Sequence, residues 1–414
     1  MLTQRLQYFI YLIALVIIIT GCSGNKAPLI ERNQAKKDRL MQKSELNTQQ
    51  PYDDSYRDFL VPPYRETSLP RNVGIILPFE KEYSDISKSI INGIVQAYYS
   101  SSRLMANTKL FFYSSNSSDL EQILQQIKND QIEFLIGPLR KDMLSVIIKR
   151  IPQQVSVMAL NIDNSLKIRR KGFFQFSLNP EEEAKQVANF ARTMGKQAIV
   201  ITQNTDWGRR TSNAYQKEWI NSGGEILDNI VFDKNETNFS KIITETLHIT
   251  QSHFRKNTLE KLLQEKVKFE ARRRQDIDVI LLATDHDDTR QILPQLRFHK
   301  AERLPIFASS RAFTFEKDIS FYKDMDGLYF ADMPTLESEN YVNKTTKDNR
   351  YPRLFAFGFD ALNLMPYLHQ MKRNEFLIFP GRTGYLKINR NGIVVRNLNK
   401  YRIKNGKVRL AKTE

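Results

Sequence analysis

Residues 72–79, NVGIILPF, decide the fold class of this chain because they form a continuous apolar run. A strand with this composition is covered on both faces, as in a parallel sheet between two layers of helices. Residues 84–101 follow, and in them Ile86, Ile90 and Ile94 recur at helical spacing. The two segments therefore predict the first strand and the first helix of an α/β fold.

The same alternation continues along the chain. It predicts strands at 108–113, 133–137, 155–160, 173–177, 197–202, 225–232, 277–283, 305–308 and 327–330, and helices at 118–130, 141–150, 180–194, 209–222, 287–299 and 355–371. Strands that alternate with amphipathic helices predict parallel sheets with right-handed crossovers. Two such series predict two lobes, which we expect to be joined near 177–180, 308–310 and 331–334.

The C-terminal segment has a different pattern. Asn391-Gly392 lies between two short β-prone runs and predicts a hairpin, and Asn405-Gly406 predicts a second turn. We expect these to be small antiparallel additions to the sheets. The domain boundaries predicted from the sequence are 71–178 with 332–414 for the first lobe and 179–331 for the second.

The N-terminal segment predicts export and lipid attachment. Arg5 precedes an apolar stretch at 8–20, and Thr20 and Gly21 stand directly before Cys22, the only cysteine. This order is typical of a secretory signal, and the stretch is too short to span a bilayer. Its end resembles a bacterial lipobox, at which the cysteine receives a diacylglyceryl group. We therefore expect a signal peptide at 1–21 and a lipidated Cys22, with a retained signal anchor as the alternative.

The composition of the mature chain limits its function. Residues 22–70 are polar and rich in turn-forming residues, which predicts a flexible linker. With Cys22 bound to lipid, no thiol remains for a disulfide, a thiolate nucleophile or a cysteine zinc site. The formal net charge is +16, but an exported lipoprotein does not normally meet nucleic acid, so we expect none as a partner. Two explanations of the positive charge remain: an acidic partner in the cell envelope, or a basic surface without a dedicated partner.

No motif in the sequence predicts catalysis or a cofactor. The patterns GxGxxG, Walker A, GxSxG and HExxH do not occur. The run Asp285-His286-Asp287-Asp288 has the side chains of a zinc or manganese site, but acidic residues also favour the first turn of a helix, and we prefer that interpretation. We therefore predict a protein that is not an enzyme and holds neither a metal nor another cofactor.

Ligands of open α/β sheets bind at the carboxyl ends of the strands. The polar residues in those loops are the candidates for a cleft between the lobes: Ser114, Ser115, Arg140, Asn161, Asp206, Ser309, Ser310 and Arg311. For the serines at 114 and 115, helix capping is the competing role.

Two basic clusters stand out, Arg272-Arg273-Arg274 and residues 167–171. The first follows a predicted amphipathic helix with Leu259, Leu262, Leu263 and Val267 on one stripe. Because arginine suits carboxylate partners, we predict that Arg272, Arg273 and Arg274 contact a partner. A solvated face, or internal pairing with Asp276 or Asp278, is the alternative.

Several motifs, taken in order, resemble one known family. They are FLIGPLRK at 134–141, VMALN at 157–161, RRRQDID at 272–278, FASSR at 307–311, DGL at 326–328, DMP at 332–334, AFGFDA at 356–361 and GRTGYL at 381–386. Together they are similar to the C-terminal domain of the LpoA (LppC) family, outer-membrane lipoproteins that activate penicillin-binding proteins. The resemblance implies a two-lobed fold like that of type I periplasmic-binding proteins, with parallel sheets flanked by helices.

The resemblance also implies a non-enzymatic function. Members of this family are anchored in the outer membrane, face the periplasm and reach through the peptidoglycan to a class A penicillin-binding protein, whose transpeptidase they stimulate. Ser23 after the cysteine resembles the sorting signal for that membrane. Family members usually carry a helical N-terminal domain where this chain has residues 22–70. A coil of roughly 50 residues spans about 40 Å on average and approaches about 165 Å when fully extended. The alternative function is a solute-binding lipoprotein that holds a small ligand between its lobes.

We predict that Cys22→Ala abolishes lipid attachment, because the acyl chains are attached through the sulfur of that residue. Metabolic labelling with a fatty-acid analogue measures this directly. The matched control, Ser23→Ala, should keep its label because the sulfur remains. Label that persists in Cys22→Ala would place the attachment elsewhere.

Overall fold

The computed structural model describes residues 69–116, 120–166, 170–337 and 351–411. The predicted signal peptide, Cys22 and the predicted linker up to residue 68 lie outside these ranges. Within them, no helix has the length and apolar character needed to cross a membrane.

The first lobe is built on a parallel sheet with helices on both faces. Its strands are β1 (Asn72–Leu77), β2 (Lys109–Ser114), β3 (Phe134–Ile136), β4 (Ser156–Ala159) and β5 (Phe173–Gln175), and its helices are α1 (Ser84–Ser100), α2 (Leu120–Asn129) and α3 (Lys141–Arg150). The strand order is β2-β1-β3-β4-β5. Five of the six residues of β1 are buried, which confirms the double cover predicted from NVGIILPF.

The second lobe is built on a larger, mixed sheet. Its parallel strands are β6 (Gln197–Gln203), β7 (Glu225–Phe232), β8 (Val279–Ala283), β9 (Ile306–Ala308) and β10 (Leu328–Asp332). Its helices are α4 (Pro180–Arg192), α5 (Asp206–Asn221), α6 (Phe239–Thr246), α7 (Ile249–Leu263), α8 (His286–Phe298) and α9 (Ile319–Lys323). Asp285 caps α8 by accepting hydrogen bonds from the backbone N–H groups of Asp287 and Asp288, so the acidic run begins a helix as predicted.

After the second lobe the chain returns to the first. The helices α10 (Pro352–Leu364) and α11 (Leu368–Arg373) pack into the first core. A 3-10 turn at Met365–Tyr367 separates them, because Pro366 has no N–H to continue a helix, so the single helix predicted at 355–371 is wrong. A small antiparallel sheet follows, formed by β11 (Phe379–Pro380), β12 (Tyr385–Ile388) and β13 (Val394–Asn397).

The C-terminal hairpin belongs to the second lobe. Strands β14 (Asn399–Lys404) and β15 (Lys407–Leu410) extend the second sheet, whose order is β15-β14-β10-β9-β8-β6-β7. Both turn residues, Asn405 and Gly406, have positive φ angles of 55° and 70°, as a two-residue hairpin turn requires. The turn predicted from the sequence is therefore confirmed.

Two predicted boundaries are wrong as a consequence. Residues 399–411 do not belong to the first lobe, because β14 pairs antiparallel with β10. The chain crosses between the lobes at Leu398, which is buried in the second core. The crossover predicted at 308–310 is wrong, because β9 and β10 lie side by side in one sheet. Local sequence fixes a hairpin turn, but burial of residues such as Tyr401 decides which sheet the hairpin joins.

Helices α1 and α10 touch through glycine. A Cβ atom on Gly93 would lie 2.0 Å from the carbonyl oxygen of Phe355, and one on Gly358 would lie 2.0 Å from that of Ile90. Real Cβ atoms do not approach backbone oxygens so closely, so the two helices could not keep this distance with any other residue. This contact holds α10 on the first lobe and thereby positions its N-terminus beside the second.

We predict that Gly358→Ala destabilises the protein by about 1–3 kcal/mol, the usual range for an overpacked interior. At an open helical position the same change stabilises by about 0.5–1 kcal/mol, so the sign of the effect tests the contact. Chemical denaturation measures the free energy of unfolding. Lys88→Ala, at an exposed position of α1, is the control and should change little, whereas a stabilised Gly358→Ala would contradict the close packing.

Candidate functional site

A cavity of about 740 Å³ lies between the two lobes. The second lobe contributes Trp207, Ser310 and Phe315 to its lining, and the first lobe contributes Pro352 and Thr383. On the second-lobe side these residues follow the carboxyl ends of β6 and β9. This is the edge at which open α/β sheets bind their ligands.

An ion pair joins the lobes at the cavity wall. Arg353, in the first turn of α10, donates from Nη2 to Asp332 Oδ2 at 2.5 Å and from Nε to Asp332 Oδ1 at 3.1 Å. The same Nη2 also donates to the carbonyl oxygens of Ser310 (2.9 Å) and Phe313 (3.1 Å). Burial would lower the pKa of Arg353, but the charge and hydrogen bonding of Asp332 outweigh it and raise the pKa. A first-lobe helix is thus fixed to the end of a second-lobe strand.

A second polar contact orders the loop after β9. Glu183, in the first turn of α4, accepts hydrogen bonds from the backbone N–H of Ser310 (2.5 Å) and from its hydroxyl (3.1 Å). Burial, followed by the nearby charge of Asp332, raises the pKa of Glu183. The carboxylate therefore serves to hold the loop that carries Ser310 and Arg311.

Two arginines of the cavity lining differ from Arg353. The guanidinium of Arg311 lies over the ring of Trp207, with Cζ 4.5 Å from the ring centre. Arg396, in β13, donates from Nη1 to the carbonyl oxygen of Thr383 at 3.3 Å. Among the described residues neither forms an ion pair, and desolvation lowers the pKa of both. Arg210, also in the lining, is by contrast paired with Glu181 at 2.6 Å.

The structure brings only part of the predicted cleft set to this cavity. Ser310 and Arg311 line it, whereas six predicted residues do not: Ser114, Ser115, Arg140, Asn161, Asp206 and Ser309. Two of these have clear local roles at the first sheet. Arg140 pairs with Asp142 (2.6 Å) and Glu80 (3.5 Å), and Asn161 donates to the carbonyl oxygen of Leu139 at 2.8 Å.

The remaining four lie apart from the cavity lining for different reasons. Ser309 is buried and caps a 3-10 turn by accepting from the N–H of Arg311 at 3.4 Å. Asp206 is exposed and lies 3.6 Å from Arg210. Ser114 is the last residue of β2, and Ser115 follows it and is buried. Strand-end position alone did not distinguish residues that face the other lobe from residues that close their own loop.

A family model whose description is "LppC putative lipoprotein" matches residues 65–406. The chain belongs to the LppC family. This confirms the family predicted from the ordered motifs. A curated relative, "Penicillin-binding protein activator LpoA" of Photobacterium profundum, is 24% identical over 338 residues, which are 79% of this chain and 55% of the relative. The chain spans about half the length of the curated relatives it matches.

Solved structures confirm the fold class of this LppC-family protein. The C-domain of LpoA (YraM) from Haemophilus influenzae, described as a regulator of PBP1A, has 22% identity and a TM-score of 0.62, and the match covers 82% of this chain and all of that one. A "putative branched-chain amino acid ABC transporter" from Rhodospirillum rubrum has 15% identity and the same TM-score, covering 82% and 99%. At these identities the likeness shows the fold alone.

The basic cluster of this LppC-family protein is divided between two roles. Arg274 pairs with Asp276 at 2.6 Å, and Arg273 donates to the carbonyl oxygen of Lys300 at 3.0 Å. Internal pairing with Asp276, the alternative to a partner contact, is therefore correct for Arg274. Arg272 is exposed. In the second cluster, residues 167–169 lie outside the described ranges, and Arg170 is buried and donates to the carbonyl oxygen of Ile151.

The helix before the cluster also differs from the prediction. It ends at Leu263, so Val267 does not lie on it. Leu259, Leu262 and Leu263 are exposed instead of packed against the lobe. Segment 264–272 returns along the opposite side of the helix, where Phe269 contacts His253 with their ring centres 5.2 Å apart. Among the described residues, the three leucines of the predicted stripe are not part of the core of the second lobe.

The sequence analysis missed five residues that shape the cavity: Glu183, Trp207, Asp332, Arg353 and Arg396. Trp207 had a usable signal, since it is a large aromatic residue in the polar segment that follows the strand predicted at 197–202. Asp332 also ends a strand, β10. Arg353 and Arg396 had no such signal, because they come from a helix start and from the small sheet.

We predict that Arg353→Gln lowers the free energy of unfolding by about 3 kcal/mol, because it leaves the buried Asp332 carboxylate without its counterion. Arg390→Gln is the matched control: it breaks the pair with Glu375, but 88% of the Arg390 side chain is exposed, and such pairs contribute at most about 1 kcal/mol.

Denaturant unfolding of the two variants measures the difference. Adding Asp332→Asn to Arg353→Gln should recover part of the loss, since no buried charge then remains. A loss in Arg353→Gln no larger than in Arg390→Gln would show that the pair does not hold the lobes together.

Proposed function

We propose that this protein binds a class A penicillin-binding protein and stimulates its transpeptidase, without catalysing a reaction itself. The observation that carries the proposal is the extent of the family match, which runs through both lobes from residue 65 to 406. The curated relative is named as an activator of a penicillin-binding protein, and this name favours an interaction protein over an enzyme. It also favours the activator over a solute-binding lipoprotein that serves a transporter.

We also propose that Cys22 anchors the protein in the outer membrane with its body facing the periplasm and in contact with peptidoglycan. The lipobox-like end of the apolar stretch and Ser23 after the cysteine support this location. The family description as a lipoprotein agrees with a lipid anchor. An anchor on that side of the cell wall would place the two-lobed body where it meets a synthase that extends from the inner membrane.

The exposed apolar face of α7 is the surface that best suits such a partner. We define the α7 surface as Phe254, Leu259, Leu262 and Leu263, and the exposed fractions of Phe254 and Leu262 are 71% and 76%. Grouped apolar side chains that remain in water mark interaction sites, whereas scattered ones do not. The returning segment covers the other side of the helix: Glu260 accepts a hydrogen bond from the N–H of Val267 at 3.1 Å. The chain itself therefore covers the Glu260 side of the helix, and the α7 surface remains accessible to another molecule.

The charge around the α7 surface indicates an acidic partner. Residues 249–275 contain eight Lys or Arg and three Glu, a net charge of +5. Arg255, Lys261 and Arg272 are exposed there. A second copy of this chain would bring like charges together, which disfavours self-association. We therefore assign the α7 surface to an acidic face of the penicillin-binding protein, and Arg272 is the member of the predicted arginine set that contributes to it.

The test of the function is a cross-linking assay with a purified class A penicillin-binding protein from the same organism and its lipid-linked precursor. The mature protein should raise peptide cross-linking and show no activity alone. Unchanged cross-linking, at concentrations where the two proteins bind, would reject the proposal.

The same assay locates the surface. Phe254→Ser with Leu262→Ser should weaken binding at least tenfold, about 1.4 kcal/mol, with the melting temperature unchanged because neither side chain is buried. The control is Phe376→Ser, which alters an even more exposed aromatic (91%, against 71% for Phe254) away from α7. Activation by the double variant equal to that of the control would move the docking site elsewhere. Binding of wild type, but not of the double variant, to anionic vesicles would assign the α7 surface to lipid instead.

A further inference from the structure

We propose that the interlobe cavity binds a small organic anion, a carboxylate or a phosphate ester, whose charged group is held by Arg311 and Arg396 and whose apolar part lies near Trp207 and Phe315. This proposal does not depend on the proposed function. It concerns a ligand of the lobes and not a partner of the α7 surface.

The size and lining of the cavity fit a small molecule. Ligand pockets are commonly about 300–1,000 Å³, lined mostly by apolar and aromatic side chains with a few polar groups that fix the orientation. The cavity measures about 740 Å³ and contains Trp207, Phe315 and Leu354 beside its arginines. The lobes meet through Arg353 and Asp332 at its wall, and this contact bounds the cavity.

The charges in the lining leave two cations for a ligand. Arg353 and Arg210 are paired with Asp332 and Glu181. Glu183 attracts both Arg311 and Arg396 through its charge, but its oxygens accept hydrogen bonds from Ser310 and not from an arginine. Asp285 also attracts Arg311 without forming an ion pair with it. Asp332 and Asp360 attract Arg396, again without an ion pair. Glu316, the remaining carboxylate of the lining, forms no ion pair with either arginine among the described residues. Guanidinium groups stay charged at neutral pH, and the desolvation of Arg396 without an ion pair is unfavourable. A bound anion would offset that cost.

The geometry of Arg311 favours an oxyanion. Its guanidinium carbon lies 4.5 Å from the centre of the Trp207 ring, a cation–π contact that does not need an N–H donor. The N–H donors lie in the plane of the group and so stay available to the two oxygens of a carboxylate or a phosphate. Arg396 has one hydrogen bond of 3.3 Å, to the Thr383 carbonyl, and keeps further N–H donors for a ligand in the cavity. Two arginines and a tryptophan therefore select an anion with a planar or apolar portion.

The chain has its own spectroscopic reporter for this binding. It contains two tryptophans, and only Trp207 lines the cavity. Trp219 is fully buried, donates to the carbonyl oxygen of Lys196 at 3.1 Å and packs in the second core. A ligand that draws Arg311 away from the Trp207 ring, or covers the ring, changes the fluorescence of one tryptophan and leaves the other as an internal reference.

The experiment titrates the full mature chain with phenyl phosphate and with phenylacetate at constant ionic strength and follows tryptophan fluorescence and melting temperature. We expect a saturable change in fluorescence and a rise in melting temperature with at least one of the two anions, and the stronger one identifies a phosphate or a carboxylate. Phenylacetamide, the neutral counterpart of phenylacetate, should have no effect. The fluorescence change should disappear in Trp207→Phe.

Charge-removing variants make the test specific. Arg311→Gln and Arg396→Gln should each weaken binding at least tenfold, and Arg311→Lys should keep part of the affinity because it keeps the charge. Arg209→Gln is the control: it removes an exposed arginine from the same helix as Trp207, α5, outside the lining, and should bind as wild type does.

Arg311 is accessible to solvent, so its replacement should leave the fold intact even if Arg396→Gln unfolds, and melting curves identify such a case. The proposal is overturned if neither anion gives a saturable signal, if phenylacetamide binds as well, or if Arg311→Gln binds like Arg209→Gln.

Discussion

The ion pair between Arg353 and Asp332 is the interaction on which the arrangement of the lobes depends. Arg353 begins a helix of the first core and Asp332 ends a strand of the second. Two close N–O contacts join the side chains, and Arg353 also donates a hydrogen bond to the loop after β9. Together these contacts set the distance across the cavity. Because Asp332 is buried, the pair cannot open without leaving its carboxylate unpaired in a poorly solvated environment. The lobes are thus held at a defined separation.

Glycine packing supplies the rigid base for that pair. Gly93 and Gly358 let α1 and α10 approach to a distance that a Cβ atom would prevent. The N-terminus of α10 is therefore fixed relative to the first sheet, and Arg353 reaches the second lobe from a firm support. The crossover at Leu398, and the hydrogen bonds of Gln186 to the backbone of Arg396 and Leu398, tie the lobes at another place.

The two sites proposed for this LppC-family protein rest on different physical features. The α7 surface is apolar, exposed and surrounded by positive charge, which suits a protein partner with an acidic face. The cavity lies between the lobes, and its Arg311 and Arg396 lack ion pairs among the described residues, which suits a small anion. The sites are formed by different segments, so a ligand in the cavity would influence the partner only by changing how the lobes are held.

The sequence by itself determined the fold class, the family and much of the local structure. Short continuous apolar runs between turn residues favour doubly covered strands, and Asn405-Gly406 allows the positive φ angles of its turn. These features depend on a few adjacent residues. Tertiary structure alone decided that residues 399–411 join the second sheet, that Leu262 faces water, and that Arg353 is paired while Arg311 and Arg396 are not. Those outcomes depend on which distant surfaces meet, and a local pattern of residue types does not contain that information.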